Sequence, residues 1–283
     1  MELIPRILVG GNPGEPVDSA WNEATSRASD WAFRADAAGM TRSAALQWVA
    51  VGLTLAFVLL DLLDVVANYA TLNREVGVDY RLYMDTATRW LHGGPYFQPD
   101  QLAGPYQISA GDILYPPVSL LLFVPFTFLP AILWWLIPAA AVGWCLYRLR
   151  PTRTGWQWLA VCAAWPTAPL KILTGNPVVW AVAAMALGVL YAWPSVLVLI
   201  KPSLFPFALF GARTRRWWVG LAALLAISLP FGSLWIDWVR SILNAQGGGI
   251  AYSSLEIPML AFPVVAWLGR SHTARAATEI AAA

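Results

Sequence analysis

The chain has 283 residues, 58% of them hydrophobic and only 12% charged, with a formal net charge of +2. Soluble domains carry roughly a quarter charged residues, so this composition excludes an ordinary water-exposed globule and fits a surface that faces lipid. A net charge this small also argues against a nucleic-acid partner.

Residues 1–43 are mixed, contain Gly and Pro, and show no short apolar core ahead of a small-residue cleavage site, so they are not read as a signal peptide. The expectation is a poorly structured cytoplasmic tail with a short surface helix near 21–38. Apolar runs approaching the ~20 residues of a bilayer-spanning helix follow at 44–68, 113–129, 130–147, 156–170, 176–193, 194–211, 217–235 and 257–269. Pro130 divides a run too long for one crossing. These runs predict an all-α fold, a polytopic transmembrane helix bundle of about eight membrane segments over 44–269. A cytoplasmic tail at 270–283 follows. A transmembrane β-barrel would show alternating segments instead. Several of the 17 tryptophans, among them Trp134, Trp135, Trp217, Trp218, Trp235 and Trp238, fall at the ends of runs, where interfacial aromatics collect. Cys145 and Cys162 lie inside apolar runs and read as small buried hydrophobes, not as a disulfide or metal site.

Lys/Arg excess marks the cytoplasmic side of a membrane protein. Arg213-Thr214-Arg215-Arg216 is the strongest such marker here. With eight crossings it places 69–112 and 236–256 outside. Arg148, Arg150 and Arg153 then fall outside too, against the rule, unless a short segment between 113 and 193 is re-entrant.

The first outer segment is a polar island. Its residues 79–92 show helical periodicity: Tyr80, Tyr83, Met84, Ala87 and Leu91 share one face, and Arg81, Asp85, Arg89 and His92 the other. The pattern predicts an interfacial helix with tyrosines toward lipid, ended by Gly93-Gly94-Pro95. Asp79 sits in its first turn, where the helix dipole favours an ionised carboxylate, able to act as a cap or as a general base. Further along come the only two lysines of the chain, Lys171 and Lys201, in or beside apolar runs. Lys171 falls at a span end and reads as interfacial. Lys201 lies inside a span, where a charge marks a functional site. Its partner would be an anion such as a lipid phosphate, unless it snorkels or pairs with Asp61 or Asp64 at the end of the first span.

The pattern Asp79-(x3)-Tyr83-(x10)-Gly94-Pro95-Tyr96, followed by Tyr115-Pro116-Pro117 opening a Leu-rich run that closes on Leu129-Pro130, resembles glycosyltransferase family 87. These are polyprenyl-phosphate-sugar-dependent transferases of the GT-C membrane fold, including polyprenol-phosphate-mannose-dependent mannosyltransferases. Gly175-Asn176 stands where the family has Gly-Gln-x-Asn, and lacks the glutamine. Lys201-Pro202 is similar to its Lys-Pro, and Trp235 and Trp238 precede a loop ending near Ser253-Ser254, like its second large outer loop. The likeness covers about residues 45–257 and is that of an unusually short member.

The resemblance implies a hexosyltransferase that moves a sugar, mannose in many members, from a lipid-linked polyprenyl phosphate to a hydroxyl of a lipid or glycan acceptor, with inversion. It implies a bacterial plasma-membrane location, an active site facing outward and cell-envelope chemistry. The family's base is an acid early in the first outer loop, a role that falls on Asp79. Lys201, with Arg81 and Arg240, would stabilise the leaving phosphate. Tyr83, His92, Tyr96, Tyr115 and Asn176 complete the expected substrate-binding set. No cofactor and no metal is expected, since no ligand cluster, Asp-x-Asp or Gly-rich phosphate loop is present. The alternative is a non-catalytic protein that binds or moves a polyprenyl-phosphate lipid, or an accessory subunit; a proton-coupled transporter would need acids deeper than Asp61 and Asp64.

Overall fold

Helix dominates the chain wherever the computed structural model describes it, at residues 48–57, 59–60, 63–64, 67, 76–109, 111–246 and 255–271. These belong to a unit beginning at Gln47. The expected tail 1–43, Asp61, Ser253-Ser254 and residues 272–283 lie outside the described residues. The all-α expectation holds, apart from a two-residue parallel ladder.

An apolar helix, α1 (Trp48–Phe57), comes first. The island follows with α2 (Val78–Leu91), α3 (Pro99–Ala103) and β1 (Tyr106–Gln107). A 3-10 turn (Pro117–Ser119) opens α4 (Leu120–Phe126). Then come α5 (Leu133–Leu149), α6 (Arg153–Ala163), α7 (Thr167–Thr174) and α8 (Val178–Tyr191). A 3-10 helix (Trp193–Ile200) precedes α9 (Phe205–Ala208), α10 (Arg215–Ser228), α11 (Gly232–Asn244), β2 (Ala245–Gln246) and α12 (Ile257–Leu268). β1 pairs with β2 through Tyr106–Ala245 and Gln107–Gln246, tying the island to the end of α11.

Hydrogen bonds between distant segments define two ends of the molecule. At the island end, Trp134 Nε1 donates to Gly175 O (2.8 Å) and Trp135 Nε1 to Ile172 O (2.7 Å). Trp238 Nε1 donates to Leu114 O (3.1 Å), and Trp165 Nε1 to Leu255 O (2.8 Å). At the other end, Thr152 N–H donates to Gly269 O (2.8 Å) and Ser271 N–H to Leu149 O (3.3 Å). The Phe210 ring packs on Trp267 there, with centroids 5.2 Å apart. α5, α8 and α12 run away from the island; α6 with α7, the 3-10 helix, and α10 with α11 run toward it.

This path corrects three expectations. The run 113–129 does not pass between the ends: Ser119, near its start, bonds to Tyr96, and Tyr80 Oη donates to Phe126 O (3.3 Å) near its finish, so α4 stays at the island. With α4 at the island, Arg148, Arg150 and Arg153 lie at the same end as Arg270 and the Arg213–Arg216 run, which follows Gly211 beside Ala192. The run 194–211 is not one helix: it climbs as a 3-10 helix to Lys201, meets Pro202 and Pro206, and returns to Gly211 beside Ala192. α2 begins and ends within a residue of its expected bounds, but its apolar face turns into the protein. Tyr83 stacks on Phe123 with centroids 4.8 Å apart, and Met84 and Ala87 are buried.

Two cores result. One surrounds α8 and includes Cys145, Leu159, Met185, Val198 and Leu260; the cysteines are free thiols. The other is aromatic and lies under the island, with Tyr83, Tyr96, Phe123, Phe126 and Trp134. Burying a side chain such as Phe123 is worth roughly 1.5–3 kcal/mol. By length and apolarity, the continuous helix Arg215–Asn244 qualifies among the described residues as able to cross a bilayer. The α7–α8 pair would do so only as one span bent by 106°.

Candidate active site

Asp79 is positioned by where α2 starts. Gly77, with φ of 78°, donates its N–H to Leu173 O (2.8 Å), pinning the first turn of α2 to the last turn of α7. α7 stops at Gly175, whose φ of 71° suits glycine. A Cβ there would also stand 2.8 Å from Tyr80 Cβ and 2.9 Å from the Trp135 ring. The tight turn Gly175-Asn176-Pro177 presents Thr174 and Asn176 to Asp79. Thr174 Oγ1 (2.9 Å) and Asn176 Nδ2 (2.8 Å) both donate to Asp79 Oδ2. Among the described residues no donor reaches Oδ1. The carboxylate is oriented through one oxygen and open at the other.

Asn176 links Asp79 to the rest of the cluster. Its Oδ1 caps α8 by accepting from Val178 N–H (3.1 Å) and also accepts from Tyr115 Oη (3.4 Å). Tyr115 lies edge-on to Tyr83, with centroids 5.2 Å apart. The Lys201 ammonium stands 5.6 Å from the Tyr115 ring centroid, within cation–π range. Lys201 Nζ donates to Glu256 Oε1 (2.7 Å) and lies 2.5 Å from Oε2. Lys171 Nζ sits 3.4 Å from the same Oε1. Asp79 joins this ion cluster through Asn176 and Tyr115. Two carboxylates and two ammonium groups thus share one cluster at the island end.

Of the expected residues, Asp79, Tyr83, Tyr115, Asn176 and Lys201 meet here. Four others do not. Arg81 is exposed and donates to Val76 O (3.2 Å). His92 caps α2, its Nδ1 2.7 Å from Thr88 O. Arg240 is exposed on α11. Tyr96 is buried with its Oη 2.8 Å from Ser119 Oγ, and burial pushes its phenol well above the usual tyrosine range. Among the described residues Lys201 pairs with Glu256, which sequence reasoning missed along with Thr174; one expected partner, Asp61, lies outside the described residues. Charge accounting could have found Glu256: two lysines in apolar surroundings need an acid, and Glu256 is the acid that opens the last apolar run.

Comparison of the chain with protein-family models, with curated proteins and with solved structures finds no match.

Proposed function

We propose that the chain is an integral membrane hexosyltransferase of the GT-C type, resembling glycosyltransferase family 87, which uses a polyprenyl-phosphate sugar, mannose being favoured, at the island face. The observation that carries this is the convergence of Asp79, held by Thr174 and Asn176, with the Lys171–Lys201 pair across Tyr115. A base and a phosphate site must adjoin for displacement at a carbon linked to phosphate, and these groups supply both. Asp79 Oδ1 takes the proton of the acceptor hydroxyl. The hydroxyl oxygen bonds to the anomeric carbon while the carbon–oxygen bond to phosphate breaks. The electron pair leaves with the polyprenyl phosphate, beside the lysines. Attack opposite the leaving group inverts the carbon.

Two further features support a lipid substrate in a bilayer. An apolar groove of about 540 Å³ runs along α5, α7 and α12, lined by residues including Trp135, Leu146, Ala168, Ile172, Met259 and Phe262. Its α7 and α12 walls directly adjoin Lys171 and Glu256 in sequence, so an isoprenoid chain lying there would bring its phosphate to the lysines. The apolar stretch of Arg215–Asn244 is only 6% buried, and Leu229 and Leu243 are openly exposed. Such a surface suits lipid. About eight membrane segments belong to this proposal, with short passes completed by the island and the re-entrant pieces.

The test is Asp79→Asn in purified protein supplied with radiolabelled farnesyl-phosphoryl mannose and extracted envelope lipids. Turnover is expected to fall by on the order of 10²- to 10⁴-fold, the usual worth of a general base, with donor binding kept. Transfer at the unaltered rate would remove the catalytic role of Asp79, and an unaltered protein that binds the donor without transferring sugar would leave the lipid-binding alternative.

A further inference from the structure

Glu256 stands apart from the acids of the island because it is completely buried, while Asp85 and Asp100 are exposed. It is also fixed. Leu255 O, one residue before it, accepts from Trp165 Nε1 (2.8 Å) and Thr167 Oγ1 (2.9 Å). Its own carbonyl accepts the N–H groups of Met259 (3.1 Å) and Leu260 (3.3 Å) in the first turn of α12. With its backbone held on both sides in this way and its side chain fully buried, Glu256 stays beside the lysines when a ligand arrives. Both lysine side chains keep a narrow exposed edge, 11% for Lys171 and 12% for Lys201, through which an anion can reach them.

We infer that Glu256 sets the specificity of the lysine site, trimming its charge from +2 to +1 so that it favours a singly charged phosphodiester over a doubly charged phosphomonoester. This rests on the transferase reading. The donor is a phosphodiester with one negative charge; cleavage of its sugar–phosphate bond leaves a monoester whose second pKa is about 6, so the product carries nearly two at neutral pH. Lys171, Lys201 and Glu256, the groups in direct ion-pair contact, sum to one positive charge, which matches the donor; Asp79 stands apart from them, beyond Asn176 and Tyr115. The product gains a charge beside the buried carboxylate of Glu256 and, across Asn176, the half-buried one of Asp79. In a site largely withdrawn from water that repulsion is strong, and it expels the spent lipid phosphate. Without Glu256 the pair of lysines would grip the product more firmly than the substrate.

The experiment measures binding of farnesyl phosphate and of farnesyl-phosphoryl mannose to the full chain in nanodiscs at pH 7.5, across a series of site charges. The unaltered site and the double variant Lys171→Met with Glu256→Gln both carry +1 and are expected to share one preference ratio. Glu256→Gln carries +2 and is expected to move that ratio at least tenfold toward farnesyl phosphate. Lys171→Met alone carries 0 and is expected to weaken both ligands, farnesyl phosphate more. Glu256→Asp keeps the charge and should keep the ratio. If Glu256→Gln does not fold, the comparison of the double variant with Lys171→Met decides the matter through the same charge step. A ratio that ignores site charge while both ligands bind overturns the role of Glu256 and leaves the transferase reading standing. Failure of both ligands to bind the unaltered protein removes the phosphate site, and both proposals with it.

Discussion

Asn176 is the hinge of the polar cluster, since one side chain caps α8, orients Asp79 and receives Tyr115. Asn176→Ala is expected to cost roughly 1–3 kcal/mol for the buried partners it strands. It should also lower kcat more than it raises KM, because Asp79 loses an orienting donor while the lysines are untouched. A variant whose KM alone changes would place Asn176 in substrate binding instead. Tyr96 belongs to stability. Its folded-state pKa is raised by burial, so the neutral phenol stabilises the fold fully below the unfolded tyrosine value of about 10. That contribution fades as pH climbs from there toward the folded value. Tyr96→Phe should therefore flatten the alkaline decline of the unfolding midpoint above pH ~10, and an unchanged decline would assign it to other groups. The sequence shows why some expected residues meet at Asp79 and others do not. Tyr83 lies four residues on, the same helical face; Arg81 lies two residues on and points away. Periodicity alone could not say that this face turns to protein and not to lipid.

Among the elements, the 3-10 helix Trp193–Ile200 matters most, because it delivers Lys201 to the site. It is pressed against α8 at Gly188, where a Cβ would stand 2.7 Å from Ser195 Cβ and 2.9 Å from its backbone nitrogen. Small residues permit such close backbone approach between apolar helices. Ser195 Oγ further anchors the segment by donating to Ala208 O (3.0 Å) on the return leg. Gly188→Ala is expected to destabilise the protein by roughly 1–3 kcal/mol, the usual cost of overpacking, and to weaken binding of farnesyl phosphate by displacing Lys201. An unshifted unfolding midpoint in a detergent melt would show that the close approach is not needed. Hydropathy marked 194–211 as apolar without revealing its shape, since a fold-back and a single helix share that composition. Pro202 and Pro206, which interrupt the backbone donors, were the signal for the turn. The bounds of α2 were legible because a left-handed Gly77 and the Gly93-Gly94 stop frame a strongly periodic stretch.

Among the described residues most arginines lie at one end of the molecule and a group of acids at the other, with Arg81, Arg89, Arg240 and the two lysines beside those acids. Arg148, Arg150, Arg153, Arg213, Arg215, Arg216 and Arg270 gather at the end away from the island. Asp79, Asp85, Asp100, Asp112, Asp237 and Glu256 belong to the island end. The sequence could name the basic runs but not bring them together, because assigning 113–129 as a crossing reversed the side of 148–153. With α4 held at the island, every basic turn agrees, and the positive-inside rule orients the proposed membrane protein with the island outside. Single cysteines test this in a Cys145→Ala, Cys162→Ala background. Ala103→Cys, exposed on α3, should react in intact cells with a maleimide that cannot cross the membrane. Thr154→Cys, exposed at the start of α6, should react only after the cells are opened. The reverse pattern would put the Asp79 cluster in the cytoplasm, where a lipid-linked donor would have to present its sugar from the inner leaflet. Labelling of both sites in intact cells would mean that no bilayer separates the two ends, and the membrane proposal would fall.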